Sequence, residues 1–288
     1  MSLLNIFIFR QLFLKTSAAT LDCLNTIGVH MKILVCVKQV PDTESPITID
    51  ADTTWIIEHE YIAFRMNLYD EYALEEAVLI REAIGNVSVD AISVGPSRVS
   101  ATLKKSLEKG ADNAIHIILE KNAYCPPIVV ADLIAEYARH RNYDLIFTGV
   151  MAEDDMQCQV GPLIAARLRL PCAASIIKET LNKEGAAITA ECELEGGITE
   201  TVILPIPSLL TIQSGINRPR YPSLSNVMRA KEQELIWIQA DSDILSQPAE
   251  RVVSISYPEQ TSKGTIIDGS PDQKAEQLLA ILHEKSLL

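Results

Sequence analysis

Residues 143–168, YDLIFTG followed by VMAEDDMQCQVGPLIAARL, decide the fold class of this chain. An apolar run leads to Gly149, and apolar residues recur at helical spacing after Gly161, so the stretch predicts a strand, a loop and a helix. The loop carries three consecutive acids, Glu153, Asp154 and Asp155. Strand-to-helix loops of α/β proteins commonly bind phosphate, whereas carboxylates repel it. The position of the loop therefore predicts phosphate binding, whereas its negative charge predicts that phosphate is repelled.

The same alternation extends from Met31 to about Pro171. Predicted strands are KILVCV, VSVDAISVG, ADNAIHII and YDLIFTG, and predicted helices are EYALEEAVLIREAIG, SRVSATLKKSLEKG and PIVVADLIAEYARHR. Gly85 and Gly110 end the first two helices, as C-terminal glycines commonly do. Strands this apolar are covered on both faces, which predicts an α/β fold with a doubly wound, mostly parallel sheet.

Beyond Pro171 the periodicity changes. Residues 187–204 alternate about Gly196 and Gly197, which predicts a β-hairpin, and we expect this part to add strands rather than another βαβ unit. The final stretch, SPDQKAEQLLAILHEKSLL, opens with a capping-box pattern and carries a leucine stripe, which predicts an amphipathic helix at the end of an extended C-terminal arm. Such a helix packs on its own domain or on a partner subunit.

Composition excludes several classes of function. Lys and Arg number 25 against 38 Asp and Glu, a formal charge of -13, which argues against nucleic acid or an anionic membrane as partner. The six cysteines lack metal-binding spacing, which predicts reduced thiols, no metal site and a cytoplasmic location. The sequence contains no G-x-G-x-x-G, P-loop or G-x-S-x-G motif, and its histidines are scattered. We expect no catalytic residue.

The carboxyl ends of the strands form the edge at which open α/β sheets bind ligands. Three predicted ends are of interest: Cys36 to Lys38, Val94 to Pro96, and Gly149 with the acidic loop. A nucleotide there would meet small or apolar side chains, and its phosphate would meet backbone N–H groups after Met156, with Gln157 to Val160 in the first helical turn. The acids would then bind ribose hydroxyls, cap the helix or face solvent. Alternatively, the pairs Gly95–Pro96 and Gly161–Pro162 only form turns and take no part in ligand binding.

Separated motifs in residues 31–238 resemble the β subunit of electron transfer flavoproteins. They are KILVCVKQVPDTE, MNLYDEYALEEAV, ISVGPS, LEKGADNAIHI, DLIFTGVMAEDDMQCQVGPLIAARL and INRPRYPSLSNVMRAKEQEL. The last is the most specific, because it carries the family pattern N-x-P-R-Y-x-x-L-x-N-[IV]-M-x-A-K. The fold implied is the adenine-nucleotide α-hydrolase-like variant of the doubly wound sheet.

The resemblance implies a heterodimer with an α subunit that carries most contacts to a shared, redox-active FAD. This chain would hold AMP structurally, or a second FAD in electron-bifurcating members, and would be an electron carrier rather than an enzyme with its own substrate. The residues matching the nucleotide pocket are Cys36, Asn67, Leu68, Tyr69, Asp70, Val94, Gly149, Asp154, Asp155, Gln157, Cys158, Gln159 and Val160.

A second set matches the family's partner-docking loop: Arg220, Tyr221, Leu224, Asn226 and Met228. The resemblance implies that acyl-CoA dehydrogenase-type donors of fatty acid oxidation dock around Leu224 and that electrons pass on to a quinone oxidoreductase-type acceptor. Neither nucleic acid binding nor membrane insertion is expected. Three parts are expected: an N-terminal extension over 1–30, a nucleotide-binding α/β domain over 31–238, and an arm over 239–288 that contacts the α subunit.

The chain departs from the family in the phosphate loop. Val150 and Met151 stand where many members have a basic residue and glutamine, and Met156 stands where an aspartate is common. Backbone amides must therefore do more of the phosphate binding, and the choice between AMP and FAD stays open. A stand-alone adenine-nucleotide-binding protein is the remaining alternative, although the chain lacks the S-G-G-x-D-S loop of ATP pyrophosphatases.

Overall fold

The computed structural model describes residues 30–50, 55–57, 61–119, 124–182, 186–245, 250–257, 264 and 266–287. The predicted N-terminal extension lies outside these residues apart from His30. The chain divides into two compact units, one ending at Val253 and the other running from Ser254 to Leu288.

Thirteen strands occur in the described part of the first unit. They are β1 Met31–Cys36, β2 Gln39–Pro41, β3 Ile49–Asp50, β4 Trp55–Ile56, β5 Phe64–Met66, β6 Val87–Gly95, β7 Asn113–Ile118, β8 Leu145–Gly149, β9 Cys172–Leu181, β10 Ala187–Glu193, β11 Thr199–Pro205, β12 Ser208–Ile212 and β13 Ile236–Gln239. Strands β2 and β5, and separately β3 and β4, form two-stranded antiparallel ribbons.

The other nine strands form one sheet in the order β11-β10-β9-β12-β8-β1-β6-β7-β13. All neighbours are parallel except β9 with β10 and β10 with β11. From β1 the chain adds β6 and β7 on one side and then crosses to place β8 on the other. This reversal is a topological switch point, and in open α/β sheets ligands bind outside the carboxyl ends of the strands at such a point, here those of β1 and β8.

Helices cover both faces of the sheet. In the first unit they are α1 Leu68–Ile84, α2 Ser100–Lys109, α3 Pro127–Ala138, α4 Val160–Leu168, α5 Leu224–Glu232 and α6 Ser242–Leu245. Because side chains alternate along a strand, Ile33 and Val35 of β1 pack with α1 and α2, whereas Leu34 and Cys36 pack with α3 and α4. The predicted doubly wound α/β fold is confirmed, as are the glycine caps, with φ of 91° at Gly85 and 126° at Gly110.

The region beyond Pro171 is partly as expected. The predicted hairpin is present, with β10 and β11 joined through a 3₁₀ turn at Glu195–Gly197. The expectation that this part adds no further βαβ unit is wrong, because α5 connects β12 to β13, which pairs in parallel with β7 at the far edge of the sheet. The stretch before β13 is polar and few of its residues are buried, so its hydrophobic pattern does not indicate a helix that crosses the sheet.

The C-terminal unit contains the predicted helix, α7 Pro271–Glu284. Ser270 accepts a hydrogen bond from the backbone N–H of Gln273, whose side chain accepts one from the N–H of Ser270, so the capping box is complete. Leu278 and Leu279 of its apolar stripe are 49% and 50% exposed.

Within the residues that the structure describes, no helix combines the length and apolar character needed to cross a membrane.

Gly161 allows α4 to lie directly on the sheet, and we expect Gly161→Ala to be destabilising. A methyl group there would lie 2.6 Å from Oγ1 of Thr148 and 2.7 Å from Cγ2 of Thr211, so the free energy of unfolding should fall by about 1–3 kcal/mol. Gly264→Ala is the control, because, apart from its chain neighbours, no described residue comes within 4 Å of the added methyl group. Urea unfolding measures both, and equal stability of the two variants would contradict the close packing.

Candidate functional site

The carboxylate of Asp70 joins the ends of two central strands. Its Oδ2 accepts a hydrogen bond of 2.7 Å from the backbone N–H of Lys38, and its Oδ1 accepts one of 2.9 Å from that of Gly149. Asp70 lies in the first turn of α1, so this one side chain positions β1, β8 and the start of α1. A Cβ on Gly149 would come within 2.4 Å of Oδ1 of Asp70 and 2.6 Å of Cβ of Tyr69, so only glycine fits.

Asp70 is buried, and burial raises its pKa to about 7 against the opposing effects of the hydrogen bonds from Lys38, Asn67 and Gly149 and of the Lys38 charge. Cys36, also buried, ends β1 beside it. Burial, and after it the charge of Asp70, raises the pKa of the Cys36 thiol. This thiol is therefore neutral and unreactive, so Cys36 can contribute only apolar surface.

Asn67 and Glu153 join the acidic loop to the start of α1. The buried Asn67 donates from Nδ2 to the carbonyl of Met151 at 2.9 Å and accepts from the N–H of Glu153 at 3.1 Å. Glu153 accepts from the N–H of Leu68 at 3.0 Å and forms an ion pair with Arg65 at 2.9 Å. One expected alternative is that the acids cap the helix that follows the loop. Glu153 instead caps α1, where the helix dipole favours a negative charge.

The other two acids are neutralised by Lys38, which follows the end of β1. Nζ of Lys38 lies 2.6 Å from Oδ1 of Asp154 and 2.9 Å from Oδ2 of Asp155. Burial alone would lower the pKa of the Lys38 amine, but the charges and hydrogen bonds of the two aspartates outweigh it and raise the pKa. One oxygen of each aspartate thus binds Lys38, a contact that the sequence does not predict, and Asp154 is an exposed residue, as one of the expected alternatives has it. The ion pairs could have been predicted from the sequence, because Lys38 and the acidic loop follow predicted parallel strands whose carboxyl ends lie at the same edge of the sheet.

Helix α4 starts later than predicted. It begins at Val160, and Met156 and Cys158 have φ of 52° and 56°, which a right-handed helix does not admit. The prediction that residues from Gln157 occupy its first turn is therefore wrong. Gln159 takes the N-cap position without a side-chain cap. In the described part of the chain no acceptor takes the N–H groups of Val160 or Gly161. A helix N-terminus with free amides favours an anion.

Gln157 and Gln159 lie in a side-chain network that sequence reasoning missed. Nε2 of Gln157 donates to the hydroxyl of Tyr124 at 2.5 Å, and this hydroxyl donates to Glu250 at 2.9 Å. Gln159 donates to the Gln157 amide oxygen at 3.1 Å. Tyr124 lies far from the loop in sequence, so no local pattern indicates the contact. Of the remaining predicted pocket residues, Val94 is half-buried near the end of β6, and Leu68 and Tyr69 begin α1.

The predicted docking residues lie elsewhere, in the segment 217–228 that leads into α5. Three of them are exposed apolar or aromatic side chains: Tyr221 at 96%, Leu224 at 80% and Met228 at 55%. We call these three residues the apolar patch. Asn226 is half-buried, and its N–H is bound by Ser223, the N-cap of α5. The structure therefore brings four of the five predicted residues together around the start of one helix.

Arg220 differs from the other four predicted docking residues because its side chain forms ion pairs with glutamates of α1. Its guanidinium group binds the buried carboxylate of Glu75 through Nε and Nη2, both at 2.9 Å, and Glu82 through Nη1 at 2.5 Å. The N–H of Arg220 also donates to Glu75 at 3.0 Å. These contacts attach the segment to α1. Arg220 therefore positions the apolar patch.

Comparisons with known proteins agree on one family. A family model described as electron transfer flavoprotein domain matches residues 54–243. Electron transfer flavoprotein subunit beta of Bacillus subtilis (strain 168) is 31% identical over 261 residues, which are 89% of this chain and 99% of the relative. The mitochondrial subunit beta of Oryza sativa subsp. indica is 35% identical over 86% of this chain and 97% of the relative. Subunit beta of Mus musculus is 32% identical, with 86% and 96% covered.

Lys38→Met should loosen the acidic loop, because it leaves two adjacent carboxylates without their cation. We expect the free energy of unfolding to fall by about 1–3 kcal/mol and amide hydrogen exchange over 150–160 to increase. Lys105→Met removes the same charge from an exposed pair with Glu108 and serves as control. Unchanged exchange in the loop of the Lys38 variant would show that the ion pairs do not hold it.

Proposed function

Because the chain belongs to the electron transfer flavoprotein family, among its β subunits, we propose that it binds an adenine nucleotide at the carboxyl ends of β1 and β8 and carries electrons as half of a heterodimer. The observation that supports this most directly is the N-terminus of α4: its first two N–H groups have no acceptor among the described residues, and the loop before it carries acids that are already paired within the chain. The fold places this loop at the topological switch point, where such sheets bind their ligands.

The residues present fit a nucleotide. The N–H groups of Val160 and Gly161 would receive the phosphate, and Lys38 keeps the charges of Asp154 and Asp155 from repelling it. The neutral Cys36 and the half-buried Val94 supply apolar surface for adenine. Both carboxylate oxygens of Asp70 accept backbone N–H groups, so Asp70 would shape the pocket while neighbouring residues contact the nucleotide.

We propose AMP as the bound nucleotide, with a structural function. The loop lacks a basic residue at Val150 and Met151, and Lys38 is occupied by two aspartates. A single phosphate at one helix N-terminus suits this limited positive charge better than the pyrophosphate of FAD does. A second FAD in the same pocket, as in an electron-bifurcating protein, is the alternative.

The proposed partner in the heterodimer is an α subunit that shares with this chain the redox-active FAD, which supplies the electron-transfer chemistry when bound. This chain's own residues need not move protons. They hold the nucleotide, stiffen the strand ends through Asp70, and present a surface to donor proteins. The C-terminal unit, with the half-exposed leucines of α7, is proposed as the arm that contacts the α subunit.

The apolar patch is the proposed docking site for acyl-CoA dehydrogenase-type donors. Leu224 would insert into a pocket of the donor, with Tyr221 and Met228 beside it. Rapid electron exchange requires weak, transient contacts, and a small apolar centre with a polar rim suits that regime. Electrons would then pass to a quinone oxidoreductase-type acceptor, as fatty acid oxidation requires. The free cysteines among the described residues support a reducing compartment such as the cytoplasm.

The nucleotide content of the purified heterodimer tests the choice of ligand. Acid extraction followed by chromatography should give about one flavin and one AMP per heterodimer if the pocket of this chain holds AMP. Two flavins and no AMP would establish the bifurcating alternative. A heterodimer with one flavin and no adenine nucleotide in this chain would contradict the proposed site.

Leu224→Ala should slow reduction of the heterodimer by its donor dehydrogenase. Loss of the anchoring side chain is expected to lower kcat/KM about tenfold, while flavin content and heterodimer assembly stay unchanged. Ile203→Ala, at a 73% exposed position on β11, is the control for loss of an exposed apolar side chain. Stopped-flow flavin absorbance measures the rates, and equal rates for both variants across donors would remove Leu224 from the docking site.

A further inference from the structure

Helices α2 and α5 pack against each other, and each supplies a cation to the C-terminal end of the other. Nζ of Lys104 on α2 donates to the carbonyl of Ala230 at 2.9 Å and also to the carbonyl of Gln233. Ala230 is among the last four residues of α5, whose carbonyls have no partner within the helix, and Gln233 is the C-cap. The ammonium group therefore caps the end of α5, where the helix dipole favours a positive charge.

Arg229 of α5 makes the reciprocal contact. Its Nη2 donates to the carbonyl of Leu107 at 2.9 Å and to that of Ala111 at 3.1 Å, both at the end of α2. Its Nη1 donates to the side-chain oxygen of Gln233 at 3.1 Å, and Nε2 of Gln233 donates to the carbonyl of Asp112. Two side chains at the end of α5 are thus bound to the end of α2 and the turn that follows it.

These contacts hold the helix that carries the apolar patch. Leu224 and Met228 lie one turn apart on α5 and are exposed. Helix α5 has nine residues, all of which the structure describes, and Ala230 is the only one that is buried. A helix this short is not stable by itself, and one buried alanine supplies little apolar contact. The polar contacts with α2 must therefore help to fix its orientation.

We propose that Lys104 and Arg229 are positioning residues of the docking site: by capping each other's helices they hold α5, and with it Leu224 and Met228, in the orientation that a donor binds. The proposal rests on the proposed function for its consequence in docking, whereas the attachment of α5 to α2 does not. A donor that binds only the correctly oriented patch has its apparent Kd raised in proportion as that orientation becomes rarer. Loss of a cap therefore weakens docking and leaves the subsequent electron transfer unchanged.

Exposure alone would assign Arg229 a different role, that of a charge at the rim of the docking surface that steers the donor, because it is an exposed residue next to Met228. Its contacts argue against this role, since two of its guanidinium nitrogens are bound within the chain. Lys104 lies on another helix and binds the end of α5 remote from Leu224. Lys231 is also exposed on α5, and its ammonium group has no hydrogen bond or ion pair among the described residues. The two cations of α5 therefore allow charge and positioning to be separated.

Lys104→Met and Arg229→Met test the attachment from its two sides. Lys231→Met is the matched control, because it removes one positive charge from α5 without removing a cap. Hydrogen exchange of peptides covering 222–233 is measured on the heterodimer. We expect exchange about tenfold faster in both cap variants, since each loses hydrogen bonds from a charged donor, and unchanged exchange in Lys231→Met. Equal exchange in all four proteins would overturn the proposal, and either cap variant is sufficient if the other does not fold.

Steady-state reduction of the heterodimer by an acyl-CoA dehydrogenase tests the consequence for docking. Relative to the unmodified protein, KM for the donor should rise about tenfold in both cap variants with kcat unchanged. This rise should persist at about 0.5 M salt, which screens exposed charges beyond a few ångströms. A rise that salt abolishes, or one shared by Arg229→Met and Lys231→Met alone, would assign Arg229 to the rim and overturn the proposal.

The two measurements separate the attachment from the proposed function. Faster exchange with unchanged KM would overturn the link to docking. Exchange requires no donor, so it decides the attachment whatever the donor is. Failure of the unmodified heterodimer to accept electrons from acyl-CoA dehydrogenases would contradict the proposed function and leave the exchange result in force.

Discussion

The carboxylate of Asp70 is the contact on which the candidate site depends. It accepts the backbone N–H groups of Lys38 and Gly149 just where β1 and β8 end and α1 begins. Both N–H groups take this carboxylate as their acceptor, and an N–H that is buried without an acceptor costs about 1–3 kcal/mol. The bond requires a close approach that only glycine permits at position 149. Through this side chain the two central strands hold their ends at a fixed separation.

The negative charge of the acidic loop, residues 153–155, is neutralised by groups in direct contact with it. Although the chain carries a formal charge of -13, each acid of the loop has a basic or helical partner: Glu153 meets Arg65 and the start of α1, and Asp154 and Asp155 meet Lys38. Short-range pairing at about 3 Å outweighs the net charge, which salt screens beyond about 10 Å. The N-terminus of α4 can therefore favour an anion even though three carboxylates precede it.

Helix α1 connects the two surfaces that the proposed function uses. Its first turn carries Asp70 and receives the cap from Glu153, while its middle turns carry Glu75 and Glu76, which bind the segment 217–228. Glu75 and Glu76 are only 6% and 8% exposed, so α1 buries charge on a face that an ordinary amphipathic helix leaves apolar. Buried charges require partners, and here the partners are Arg220 for Glu75 and Asn217 for Glu76. The segment 217–228 thus adopts its position because it pairs the buried glutamates of α1.

The sequence by itself determined the layers of the fold, the hairpin, the capped terminal helix and the strand ends at which the site lies, because periodicity, glycine caps and turn residues are local properties. It also indicated the residues of the proposed pocket, and among its predicted docking residues are the three exposed side chains of the apolar patch. Tertiary structure alone decided the partners: Lys38 for the aspartates, Tyr124 for Gln157, Glu75 for Arg220 and Glu76 for Asn217. It also decided that β13 crosses to the far edge and that α4 starts at Val160. Such contacts join residues distant in sequence, and a side chain's partner depends on which elements the sheet brings together.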